Sequence, residues 1–255
     1  MVVSPVTLVN LGRLDYGAAL ALQQQVCALR QQEHIGDVLL LVEHPPVLTL
    51  GRNAHREHVV ASDQLLQRRG IALFDTNRGG DVTYHGPGQL VGYPILNLRA
   101  AAPPLGLVDY LRKLEEVLIR ACADYGVLTQ RLAGRAGVWT IPGGSVAEKK
   151  IAALGVHVAR GVTTHGFALN VTTDLHDFEL IVPCGIRDRG VTSMEAEGDG
   201  PAAPSLDQMA NAVARHFGRV FGRQVVWIES LNDLLHDLKD GGPTVRSNTA
   251  TVGLL

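Results

Sequence analysis

Residues 37–52 read DVLLLVEHPPVLTLGR, an almost continuous apolar run broken at His44-Pro45-Pro46 and then resumed. Short apolar runs bounded by turn residues predict strands. Two prolines force extended backbone and a break, so the stretch predicts two strands. An earlier strand is predicted at 6–10 (VTLVN). Residues 16–33 place Ala19, Leu20, Leu22, Val26, Cys27 and Leu29 at helical spacing, which predicts a helix with one apolar face. Further along, the pattern predicts a short helix at 62–69, strands at 71–74 and 90–98, and a long helix at 107–125. Strands follow at 138–141, 150–160 and 165–171, then a helix at 206–221 and a strand at 225–228. Residues 240–255 (DGGPTVRSNTATVGLL) read as a loose tail beyond a single domain spanning 1–239. Strands and helices mix without a regular βαβ alternation, so the expected class is α+β.

Composition narrows the function classes. A chain of 255 residues with a net charge of −2 offers no electrostatic footprint for nucleic acid. No apolar run reaches the length of a membrane span, since Asn10, Arg13 and Asp15 interrupt the N-terminal one, and the start lacks a signal-peptide pattern. Cys27, Cys122 and Cys184 are far apart and odd in number, which argues against a disulfide framework and for a reducing, cytoplasmic home. No GxGxxG follows a strand, no GxxxxGK[ST] occurs, and the histidines and cysteines form no zinc spacing.

Four stretches carry candidate chemistry. In RGGDVTYHGPGQLVGYPI, residues 78–95, Gly79, Gly80, Gly86 and Gly88 can take positive φ and hold no Cβ away from a ligand. Strand alternation sets Tyr84 and His85 on opposite faces. A tight hairpin and a ligand-binding loop both fit. In residues 149–158, simple alternation aligns Lys150 with Ala152, Leu154, Val156 and Val158, and Lys149 with Ile151, Ala153 and His157. An amine on an aliphatic face is desolvated, which disfavours its charged form; a lysine that ends the strand and snorkels to water is the plainer reading. In THGFALNV, residues 164–171, Gly166, Ala168 and Asn170 share one face, and His165, Phe167, Leu169 and Val171 the other. The small face leaves room for an alkyl chain or for a closely packed neighbour. In IVPCGI, residues 181–186, Cys184 lies on a turn between Pro183 and Gly185, where it is either structural or an accessible nucleophile. Cys27 and Cys122 fall on helices and read as small core residues.

Together, RGGDVTYHGPGQLVGYPILNL, EKKIAALGVHVARGVTTHGFALNV and VPCGI, in this order, closely resemble the lipoyl(octanoyl) transferases, and Gly51-Arg52-Asn53 adds to the match. The resemblance runs from about residue 6 to about residue 221. It implies a mixed sheet flanked by helices, the catalytic domain shared with biotin and lipoate protein ligases. The implied activity moves an octanoyl group from acyl carrier protein to a lysine on the lipoyl domains of 2-oxoacid dehydrogenases and glycine cleavage proteins, the first step of protein lipoylation. The acyl group is carried as a thioester on a cysteine that maps to Cys184, and the lysine that favours its thiolate maps to Lys150. Acyl and pantetheine contacts map to Arg78, Gly79, Gly80, Asp81, Val82, Thr83, Tyr84 and His85, to Ala153, Leu154 and Gly155, and to Gly166, Phe167 and Ala168.

A thioester already holds its acyl group activated, so the expected enzyme needs no ATP, metal or redox cofactor, and it is expected to act as a monomer. Two rivals keep the fold. A lipoate protein ligase would activate a free acid with ATP and need no nucleophilic cysteine; a binding module would have lost turnover and with it Cys184 or Lys150.

Overall fold

The computed structural model describes residues 4–141, 147–183, 189–198 and 203–230. In chain order the strands are β1 (Val6–Arg13), β2 (Asp37–Glu43), β3 (Val47–Leu50), β4 (Ala72–Asp75), β5 (Val82–His85), β6 (Gln89–Ile95), β7 (Thr129–Leu132), β8 (Arg135–Thr140), β9 (Lys150–Ala159), β10 (Val162–Asn170) and β11 (Val225–Ile228). The helices are α1 (Tyr16–Gln31), α2 (Asp63–Arg68), α3 (Leu107–Ala123), α4 (Met194–Glu197) and α5 (Leu206–Phe221). Eight strands form one mixed sheet in the order β11-β1-β2-β6-β10-β9-β8-β7; β4, β3 and β5 form a second. In the large sheet β1 runs parallel to β11 and β2, and the other pairs are antiparallel. This is the α+β architecture expected.

The run in β2 is apolar throughout because helices cover both faces of the sheet. Leu39 and Leu41 face the core made with Leu114 and Leu118 of α3 and Val213 and Phe217 of α5. Val38, Leu40 and Val42 face the opposite core with Ala19 and Val26 of α1. The small sheet has its own core, where Leu48, Val82 and Tyr84 meet Phe178 and Ile181. Local signals fix the helix ends. Asp15 accepts the Gly17 amide at 2.8 Å to start α1. Ser205 and Gln208 form a capping box on α5, and Gly222 closes it at a φ of 65°. Buried Asp37 ties the last turn of α1 to the segment after α5, accepting from Arg30 at 2.7 Å and Arg223 at 2.9 Å.

Two expectations are corrected by the register. Alternation predicted Lys150 on the face of Ala152 and Leu154. However, β9 pairs Val138 with Ala152 but Trp139 with Lys150, so β9 carries one extra residue. At such a bulge two consecutive side chains turn the same way: Ile151 and Ala152 both enter the core under α3. Lys150 is thereby turned to the other face, with Trp139. The second correction concerns His165, predicted to share the face of Phe167. Its φ is 55°, and its backbone N–H is donated to Gln23 of α1 at 2.9 Å. The left-handed residue swings the imidazole to the α1 side, while Phe167 and Leu169 stay in the α3 core.

The edge strand β7 was not anticipated, because TQRL carries no apolar alternation. Both the loose tail assigned to 240–255 and the end of the domain assigned at 239 lie outside the described residues. Among the described residues no helix is long and apolar enough to cross a membrane.

Candidate active site

On the α1 side of the large sheet, β6, β9 and β10 leave a narrow cleft of about 50 Å³. Small residues make it. Ala153 pairs with Ala168 and Gly155 with Gly166 across β9 and β10. A Cβ at Gly166 would come within 2.1 Å of the Gly92 carbonyl oxygen, and one at Gly155 within 2.8 Å of the Gly79 oxygen. Both glycines are therefore required by close backbone approach as well as by the open floor.

The roof is the 78–81 loop, stitched to β9 by the Gly79 amide bonding the Val156 oxygen at 2.9 Å. Gly80 takes a φ of 89° there. Arg78 is buried and donates to the Thr49 carbonyl at 2.5 Å and its hydroxyl at 2.9 Å. Asp81 accepts from the His55 and Val82 amides at 3.1 and 2.8 Å and pairs with His58, which secures the segment after β3.

Polar groups at the inner wall are held in neutral forms. His85 stacks on Tyr16, with centroids 6.1 Å apart, and its Nδ1 lies 2.7 Å from Gln89 Oε1. Burial, reinforced by the nearby His44 and Arg78, pushes His85 down to about 3. Burial likewise pushes His165 down to about 4 and Tyr16 up to about 12. His44 bonds the Tyr93 hydroxyl at 2.7 Å. The result is an inner wall of uncharged histidine and tyrosine side chains beside the fixed Arg78 guanidinium.

Of the residues singled out in the sequence, Arg78, Gly79, Gly80, Asp81, Thr83, His85, Ala153, Leu154, Gly155, Gly166, Phe167 and Ala168 line this one cleft. Val82 and Tyr84 do not. Alternation in β5 turns both into the core of the small sheet, where the Tyr84 hydroxyl donates to Asp177 at 2.7 Å. Nor do Gly86 and Gly88 touch the cleft. A Cβ at Gly88 would meet the Thr172 backbone at 2.6 Å, so that glycine serves the approach of the turn to the chain after β10. Tyr16, Val91, Tyr93 and His165 complete the lining and were not anticipated. No periodic signal marks Tyr16; His165 sat beside the small-residue face but was assigned to the other one.

Lys150 closes a second, smaller cavity of about 20 Å³ that has Thr83, Ala153 and Ala168 in common with the cleft. The two spaces are therefore adjacent. Lys150 is buried, with Nζ 4.8 Å from the centroid of the Trp139 ring, a cation–π distance. Gly137 leaves room for its stem, since a Cβ there would lie 3.3 Å from Lys150 Cε. Its backbone is pinned by the Gly190 oxygen at 2.9 Å and the Thr192 amide at 2.9 Å. Pro183 and Val191 line the same cavity. Cys184 itself lies outside the described residues, but segments on both sides of it, at 183 and at 190–192, converge on Lys150. Phe178, Pro183 and Val191 also border a wider surface groove of about 470 Å³ that opens outward. Lys149, by contrast, is half exposed and pairs with Glu197 at 3.2 Å.

The profile of the lipoyl protein ligase A/B catalytic domain matches residues 15–218. The chain belongs to this family. Within it, the chain is 61% identical over 236 residues to an octanoyltransferase of Acidobacterium capsulatum, a match covering 91% of this chain and 96% of that one. It is 52% identical over 235 residues to an octanoyltransferase of Koribacter versatilis, covering 92% of each. Its fold is similar to that of a bi-partite lipoate protein ligase from Thermoplasma acidophilum, at a TM-score of 0.68 and 18% identity over 94% of this chain and 93% of that one. It is also similar to a lipoate-protein ligase A bound with ATP, at 0.66 and 19% identity over 93% and 95%. Those likenesses establish the lipoyl ligase fold. Among the described residues no three His, Cys, Asp or Glu side chains gather as a metal site.

Proposed function

We propose that this member of the lipoyl ligase A/B family is an octanoyltransferase that moves an octanoyl group from acyl carrier protein to a lysine of a lipoyl domain through a thioester on Cys184. The observation that carries the reading is a buried lysine in a cavity beside a narrow apolar cleft, together with the residue covalently bonded to Cys184. The high identity to octanoyltransferases supports the same acyl group. Arg78, Gly79, Gly80, Asp81, Thr83 and His85, with residues 153–155 and 166–168, form the acyl site.

The Cys184 thiolate attacks the thioester carbonyl. A carbon–sulfur bond to Cys184 forms, the bond to the carrier's sulfur breaks, and the carrier's thiol leaves with a proton. Lys150 has the two roles this needs: as ammonium it stabilises the thiolate and protonates the leaving sulfur, and as amine it removes the proton of the incoming lysine. That amine attacks acyl-Cys184, the carbon–sulfur bond breaks, and an amide forms. Each step exchanges one acyl bond for another, so no ATP is consumed. The wide groove beside Pro183 is the approach for the carrier's arm and then the acceptor lysine. The reading places the enzyme as a single-domain cytoplasmic monomer, where acyl carrier protein and lipoyl domains occur.

The rival within the fold, an ATP-dependent ligase, predicts a different outcome in one assay. Octanoyl transfer from the carrier thioester to a lipoyl domain is expected to proceed without ATP or magnesium. Transfer only from free octanoate and ATP would contradict the proposal.

The glycines separate acyl binding from folding. Gly80→Ala puts a side chain at the cleft wall on left-handed backbone, costing about 1–2 kcal/mol and raising KM for the acyl donor. Gly88→Ala adds a clash with Thr172 and is expected to cost about 3 kcal/mol, lowering the melting temperature while KM of the folded fraction holds. Thermal denaturation and donor titration of both variants check the contrast.

A further inference from the structure

His165 lies between two cavities. It lines the acyl cleft on one side and, on the other, a separate space of about 190 Å³ bounded by Gln23, Cys27, Gln31, Asn77 and His157. We propose that His165 is the end wall that sets acyl chain length, and that the space behind it is one which longer chains would enter if the wall were removed. The proposal rests on the cleft being the acyl site.

Three observations carry it. The first is length. The reactive end of the cleft lies at the Ala153–Ala168 pair, shared with the Lys150 cavity, and His165 pairs with Val156 three residues further along β10. That separation is about 10 Å at the rise of a strand. The seven carbon–carbon bonds of an octanoyl chain, about 1.5 Å each in staggered torsions, span roughly 9 Å. The second is that the wall is built. His165 is buried, its Nε2 lies 2.7 Å from Asn77 Oδ1, and its amide is anchored on Gln23 at 2.9 Å. It is held at a φ of 55°, a conformation uncommon for a side-chain-bearing residue and sustained only where surroundings enforce it. The third is the chemistry behind it. His165 Nδ1 and Gln23 Nε2, both fully buried, have no hydrogen-bond partner among the described residues. A longer alkyl tail would have to break the contact with Asn77 and lie against these polar atoms, which disfavours it beyond simple steric exclusion.

The test uses two variants that tolerate left-handed backbone, His165→Gly and His165→Asn. Transfer from octanoyl, decanoyl and dodecanoyl carrier thioesters is measured for each, alongside equilibrium binding of the free C8, C10 and C12 acids. In His165→Gly the dodecanoyl-to-octanoyl ratio of kcat/KM is expected to rise at least tenfold, with His165→Asn between it and the parent. An unchanged ratio in both variants, or an equal loss for all chain lengths, would overturn the wall. Should the parent protein neither bind octanoate nor transfer octanoyl groups, the acyl-site reading itself would fail, a result distinct from failure of the wall. If His165→Gly does not fold, the acid-binding series on His165→Asn decides.

Discussion

Cys184→Ala is expected to abolish octanoyl transfer, by about three orders of magnitude or more, as removing a covalent nucleophile does elsewhere, while thermal stability stays close to that of the parent. The contrast with the other two thiols makes the test specific. Cys122 is fully buried against α3's core neighbours, and burial pushes its thiol up to about 12. Cys27 is likewise buried, packed under α1, and burial raises its pKa too. Both are thereby held as protonated thiols, poor nucleophiles at neutral pH. Cys27→Ala and Cys122→Ala each remove one buried sulfur and should cost about 1 kcal/mol of stability with transfer retained. Turnover and denaturation curves of the three variants check this together. Near-normal turnover in Cys184→Ala would remove the covalent mechanism.

Lys150→Met is expected to slow transfer by roughly two orders of magnitude or more, the usual loss when general acid–base assistance is removed. Methionine keeps most of the bulk above Trp139 but neither the charge nor the base. Both acylation and amine attack should suffer, since one group serves both. Lys149→Met removes only a half-exposed ion pair with Glu197, worth about 0–1 kcal/mol, and should leave the rate near that of the parent. The pH dependence of alkylation at Cys184 provides the second readout: its midpoint should move to higher pH in Lys150→Met and stay in place in Lys149→Met. An unmoved midpoint in Lys150→Met would show that the lysine has been paired with the wrong group.

The sequence reading reached α5 and β11 to the residue because their boundaries carry local chemistry: a capping box at Ser205 and Gln208, a glycine at 222, and a short β-branched run after it. The strand β2 was equally plain from its unbroken apolar run. What stayed hidden depends on one extra residue or one dihedral angle. Alternation cannot reveal the bulge at Ile151, so the argument that put Lys150 on the Leu154 face was wrong, although the same lysine ends in the cavity beside the cleft. Nothing in the letters THGFALN announces a left-handed histidine. The glycine-rich loop mixed two purposes: Gly79 and Gly80 line the cleft, whereas Gly88 allows Thr172 to approach. Tyr84 was drawn into the site by its place in the motif, but strand alternation sends it to the small sheet's core.

The central claim is that the acyl group rests on Cys184 between donor and acceptor. Its most direct test is the intact mass of the protein after incubation with octanoyl-carrier thioester, without ATP, magnesium or a lipoyl domain, followed by peptide mapping. One octanoyl adduct on Cys184 is predicted, absent from Cys184→Ala and discharged when a lipoyl domain is added. Transfer to the lipoyl domain with no adduct at any stage, or an adduct that persists in Cys184→Ala, would contradict it.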